Sequence, residues 1–183
     1  METLKEAIQA MHTRYRIPHI IITSVNLESP DRPPSHLIVI GSTMTSKCQA
    51  RLFQIAFPAI DCYFSGTGDM FAALTVARIR EAVYHVDGLK GVRSWVSDDS
   101  IEAADLPLAR AAEKVVASMH EVLSKTQQGL NAAVEKVEAQ SDVATTQWNK
   151  RLHLAKSKAA ELKLVRNLSC LRSPSVEFKA VNI

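Results

Sequence analysis

Apolar residues recur along the N-terminal segment at steps of three and four. Leu4, Ala7, Ile8, Met11 and Tyr15 share one face and Pro18 closes the run, so residues 2–16 are predicted as an amphipathic helix. The pattern then changes period. HIIITSV, from His19 to Val25, is a short β-branched run bounded by Pro18 and by ESPDRPP, and is expected to be a strand buried on both faces. HLIVIGS, the segment from Arg51 to Phe57, and DCYF add three further strand candidates, so four strands are expected before residue 65.

Helical character returns in SGTGDMFAALTVARIREAV, where Met70, Ala73, Leu74 and Ala77 share a face and Arg78 and Arg80 lie toward the far end, where they suit the helix dipole. Residues 85–105, with Gly88, Gly91 and SDDS, are expected to form a long surface loop. A second helix should begin near Pro107, with Leu108, Ala112, Val115, Met119 and Leu123 as its buried stripe. From Leu130 to Leu162 the stripe continues through Val134, Val137, Ser141, Ala144, Trp148, Leu152, Ala155 and Ala159 without proline or glycine, which predicts a long helix interrupted at most near Ser141. That spacing also resembles a weak coiled-coil seam, although packing against the chain's own domain is the reading preferred. VEFKAVNI alternates apolar and polar residues as a last strand would.

Composition narrows the picture only a little. With 183 residues, 46% of them hydrophobic and 22% charged, the chain suits one globular domain with a sizeable core. The net charge of +3 comes from 22 basic residues interleaved with 19 acidic ones, which argues against nucleic acid as a partner. Cys48, Cys62 and Cys170 are widely spaced and odd in number, as expected of a reducing, cytoplasmic setting. The charged N-terminus is unlike a signal peptide and no apolar run is long enough to span a bilayer, so no membrane association is expected. The six histidines show no metal-ligand spacing, Trp95 most simply anchors its loop, and Lys150, Arg151, Lys156, Lys158, Lys163 and Arg166 most simply form a solvated basic helix face.

Chemistry concentrates in Phe64-Ser65-Gly66-Thr67-Gly68-Asp69, between a β-rich run and a helix. Glycines there let the backbone approach an anion, and the free N–H groups of a first helical turn can donate to phosphate oxygens. An aspartate just beyond such a cradle can accept the proton of an attacking hydroxyl during phosphoryl transfer. The plainer reading stays open: the glycines make a tight turn, and Asp69 complements the positive end of the helix for about 0.3–1 kcal/mol.

FSGTGDMFAAL resembles the anion-hole and catalytic-base signature of ribokinase-like small-molecule kinases. Within that superfamily IIITSVNL at 20–27, LIVIGS at 37–42 and ELKLVRNLSCLRSPSVEFKAVNI at 161–183 resemble successive segments of pyridoxal kinases, in order from residue 1 to about 128 and again from 161. The resemblance implies an α/β class: the C-terminal half of a three-layer ribokinase-like fold, with a mostly parallel sheet flanked by helices and an exposed sheet edge. Residues 1–183 would be part of a single kinase domain, with 129–160 as a helical insertion.

It further implies that Asp69 deprotonates the 5′-hydroxyl of pyridoxal, pyridoxine or pyridoxamine while Gly66, Thr67 and Gly68 stabilise the phosphoryl group. Thr23 and Ser24 would contact nucleotide phosphate, Thr23 also a monovalent cation (K+ or Na+). Ile60, Asp61, Cys62 and Thr67 would line ATP, with Mg2+ as the second ion. On sequence alone Thr23 and Ser24 could equally cap a strand end. By the same resemblance the N-terminal half, with the vitamin pocket, its lid and the acidic residues that organise magnesium, lies outside this chain, and family members form homodimers. The expected alternatives are a catalytically silent polypeptide that binds nucleotide or a partner, and another ribokinase-like small-molecule kinase.

Overall fold

The computed structural model describes residues 1–25, 36–62, 64–139 and 146–183. Its helices are α1 (Glu2–Tyr15), α2 (Thr67–Tyr84), α3 (Pro107–Glu138), α4 (Thr146–Ala159) and α5 (Leu168–Arg172), and its strands are β1 (His19–Val25), β2 (His36–Met44), β3 (Ala50–Pro58) and β4 (Val181–Asn182). Contacts divide the chain into two compact units. The first holds Met1–Ala59, Ala72–Val116 and Val176–Ile183, and the second Ile60–Phe71 and Ala117–Ser175.

The first unit is built on one sheet in the order β1-β2-β3-β4. Every pairing in it is antiparallel, which corrects the expectation of a mostly parallel sheet. Chain length explains the sense of the first two pairings, though not that of β3 with the distant β4. A parallel neighbour needs a crossover of a dozen or more residues, whereas residues 45–49 link β2 to β3 and ten residues separate β1 from β2. Three strands precede residue 65 among the described residues. Asp61 and Cys62 form a bend, Phe64 is irregular and Tyr63 lies outside the described set, so DCYF is no strand there.

β2 is the strand covered on both faces. On one side Ile38 and Ile40 pack with Ile8 of α1 and Ile20 of β1. On the other, Gly41 faces Phe53 across the ladder, and a Cβ at Gly41 would stand 2.1 Å from the tip of that ring. β1 was expected to be covered twice, but it sits at the sheet's edge among the described residues and buries only Ile20 fully.

His12, fully buried on α1, ties helix to sheet. Its Nδ1 lies 2.6 Å from the Ile17 carbonyl, which can only accept, so Nδ1 carries the proton and Nε2 accepts from the Ser42 hydroxyl at 2.7 Å. Arg51 fastens the expected surface loop, donating to the carbonyls of Ser97, Asp98 and Ile101. That loop contains three short 3-10 turns, and it buries Leu89 and Ala103. Trp95 is half-buried there.

The second unit contains the start of α2, most of α3, and α4 and α5. α3 is one helix from Pro107 to Glu138, where two helices were expected. Gly129 inside it costs only about 1 kcal/mol against alanine, too little to break a helix whose apolar stripe continues. Ser118 donates to the Cys170 carbonyl at 2.8 Å and Glu121 accepts from the Ser175 amide at 2.6 Å, fixing the C-terminal segment to α3. Of the expected stripe, Val134, Val137, Trp148, Leu152 and Ala155 are half-buried and Ala159 is buried, while Ser141 and Ala144 lie outside the described residues. Of the stripe expected on α2, Met70 is buried and Leu74 half-buried, whereas Ala73 and Ala77 are exposed. The tail pairs over only Val181 and Asn182.

Candidate functional site

In the second unit the GTGD segment folds as a helix start. Gly66 has φ +80°, a left-handed conformation that penalises any Cβ, and its carbonyl accepts from the Met70 amide at 3.1 Å. Gly66 is thus the residue that caps α2, and Thr67, Gly68 and Asp69 supply the first helical N–H groups, which have no carbonyl partner within the helix. Nothing lies within 4 Å of a Cβ built on Gly66 or Gly68, so the space over the cradle is open. Asp69 stands exposed in the first turn, as its side chain must if it is to meet a ligand from solvent. The arrangement can hold an anion on backbone donors and present one carboxylate beside it.

Ile60, Asp61 and Cys62 precede it in a tight turn, with the Cys62 amide 2.8 Å from the Ile60 carbonyl. Gln127 of α3 donates to the Asp61 carbonyl at 3.4 Å. Cys62 lines a cavity of about 560 Å3 with Leu130, Leu152, His153 and Lys156. The stretch 129–160, treated in the sequence as an addition without function, therefore forms a wall beside an expected nucleotide residue. Periodicity carried the signal for a helix there but none for what it faces.

In the first unit Thr23 and Ser24 occupy the C-terminal end of β1, both exposed. Between Ile22↔Ile40 and Val25↔Ile38 the register slips, three steps on β1 opposing two on β2, so the two residues form a bulge. Ser24 adopts φ +57°, rare for a non-glycine residue. Bulges re-aim side chains and favour the rims of functional sites, and nothing in HIIITSV announces one.

No family model matches the chain. The fold matches part of a solved structure: a pyridoxal kinase from Leishmania donovani in complex with ADP superposes with TM-score 0.62 at 20% identity, over 100% of this chain and 45% of that one. Two Schizosaccharomyces pombe proteins provisionally named pyridoxal kinases are similar in sequence. One is 30% identical over 179 residues, which is 96% of this chain and 46% of the relative. The other is 28% identical over 132 residues, 72% of this chain and 37% of the relative. The chain thus resembles pyridoxal kinases and spans less than half the length of the curated relatives it matches.

Proposed function

We propose that the chain is the phosphoryl-transfer part of a pyridoxal kinase, phosphorylating the 5′-hydroxyl of pyridoxal, pyridoxine or pyridoxamine with ATP in vitamin B6 salvage. The observation that carries this reading is the capped start of α2. Gly66 in a left-handed conformation leaves the N–H groups of Thr67, Gly68 and Asp69 at the helix end, with open space above them and one exposed carboxylate alongside. Developing negative charge on a phosphoryl group is held by such donors, and Asp69 takes the proton of the attacking hydroxyl as the new P–O bond forms. Transfer of this kind depends on positioning and electrostatics more than on covalent chemistry.

Thr23 and Ser24 contact nucleotide phosphate and a monovalent cation, and Ile60, Asp61 and Cys62 line the nucleotide. The fit to magnesium is of one kind only. The motif offers a single carboxylate, and among the described residues no three acidic, histidine or cysteine side chains are arranged to hold a metal ion, which suits an ion held chiefly by phosphate oxygens and water. Mg2+, when bound, neutralises charge on the phosphates. Residues 1–183 form part of one kinase domain that is cytoplasmic and works in a homodimer, and full turnover draws on the further length the relatives have. No helix among the described residues is long and apolar enough to cross a membrane.

Titrating ADP into the 15N-labelled chain tests the cradle. The Thr67, Gly68 and Asp69 amides should shift together and saturate. Shifts confined to other residues would remove the basis for the reading.

A further inference from the structure

The cavity beside Cys62 is walled by one face of α4. Asn149, Leu152, His153, Lys156 and Ser157 line it and follow one another along the helix at spacings that share a side. Leu130 of α3 contributes a second apolar surface. A helix side that served packing alone would carry an apolar stripe. Here leucine alternates with amide, imidazole, ammonium and hydroxyl groups, the mixture of apolar surface and a few polar groups that small-molecule sites show, in a volume of about 560 Å3 that suits one. Among the described residues no carboxylate lines this space, and Lys156 is held in no ion pair. The wall therefore favours a ligand that is partly apolar and carries negative charge.

Position joins the cavity to the phosphate cradle. Both belong to the second unit. The chain runs from Cys62, in the cavity wall, to Gly66, which caps α2, over a reach of at most about 14 Å. A single ligand can therefore occupy both places if it has phosphate at one end and an apolar body with polar edges at the other. A nucleoside di- or triphosphate has that form.

We propose that α4 and the end of α3 hold the nucleoside of the phosphoryl donor, with its base against Leu130 and Leu152, its polar edges met by Asn149 and His153, and Lys156 beside the phosphate chain. The proposal rests on the phosphoryl-transfer reading and extends it: the stretch 129–160, an addition by sequence, becomes the part that sets affinity for the donor. The two leucines are half-buried, so a base laid on them removes further apolar area from water. The Asn149 amide offers both a donor and an acceptor to the base edge.

The test titrates the full 15N-labelled chain with ADP, inorganic pyrophosphate and adenosine. ADP is expected to shift two sets of amides, 67–69 and 149–157, along one saturation curve. Pyrophosphate should move the first set and leave the second in place. Adenosine should move the second set alone, with an affinity at least about tenfold below that of ADP. Asn149→Ala and Lys156→Ala replace exposed side chains, so the fold is kept. Each should weaken ADP about tenfold, and Asn149→Ala should leave pyrophosphate binding unchanged. If ADP shifts 67–69 but not 149–157, or binds both variants as it binds the parent, the proposal is overturned while the phosphoryl-transfer reading stands. If neither ADP nor pyrophosphate moves 67–69, that reading falls and takes this proposal with it.

Discussion

Placing a methyl group on Gly41 probes the centre of the sheet. The new Cβ would lie 2.1, 2.5 and 2.8 Å from three carbons of the Phe53 ring, and the ring is fully buried, so it has no solvent-facing rotamer to escape to. Overpacking of a tight core costs about 1–3 kcal/mol, and three simultaneous overlaps place Gly41→Ala near 3 kcal/mol. For a domain of this size that lowers Tm by roughly 6–12 °C, measurable by calorimetry or by urea unfolding followed by circular dichroism. Phe53→Leu removes the obstructing ring edge. The double variant should therefore be more stable than the sum of the single losses by at least about 1 kcal/mol. Additive losses, or a Gly41→Ala variant within about 0.5 kcal/mol of the parent, would refute the packing given for LIVIGS.

Gly66→Ala and Gly68→Ala should part company. The first places a Cβ at φ +80° and is expected to cost about 1–2 kcal/mol in urea unfolding. The second fits its open surroundings, so stability should hold within about 0.5 kcal/mol while ADP affinity, read by calorimetry, falls about tenfold as the methyl enters the cradle. Burial depresses the His12 pKa, the Ile17 hydrogen bond opposing it. The neutral ring's contribution is therefore present above the ordinary value of 6.5 and is lost as pH falls below it, so unfolding midpoints should drop between pH 7.5 and 5.5, and less so in His12→Asn. Hydrogen bonds from Lys114 and Arg78 hold the Glu81 carboxyl down at about 2, from 4.5. Its contribution is present above 4.5 and lost as pH falls toward 2; because the side chain is 35% exposed, Glu81→Gln at pH 7 should cost only about 1 kcal/mol by thermal unfolding.

β1 was legible to the residue because a β-branched run begins right after Pro18, and α1 because its apolar steps are regular and local. The start of α3 at Pro107 and the helix opening at GTGD carry their own chemical punctuation. What escaped were properties that no local pattern encodes. Pairing sense depends on which strands meet. The bulge at Thr23 and Ser24 appears only when β1 is laid beside β2. DCYF has strand composition, but a tight Ile60–Cys62 turn takes its first residues. On the site, the residue identities came from the motif, whereas the wall that α3 and α4 raise beside Cys62 required the fold.

The most direct measurement is phosphorylation of pyridoxal by the chain combined with the N-terminal half of a related pyridoxal kinase, with ATP, magnesium and potassium present. Pyridoxal 5′-phosphate should form in the combined sample, and Asp69→Ala should lower the rate by about 10²–10⁴-fold with the pair still folded, the range expected for loss of a general base. A folded pair that stays inactive, or one whose rate is indifferent to Asp69→Ala, would contradict the account.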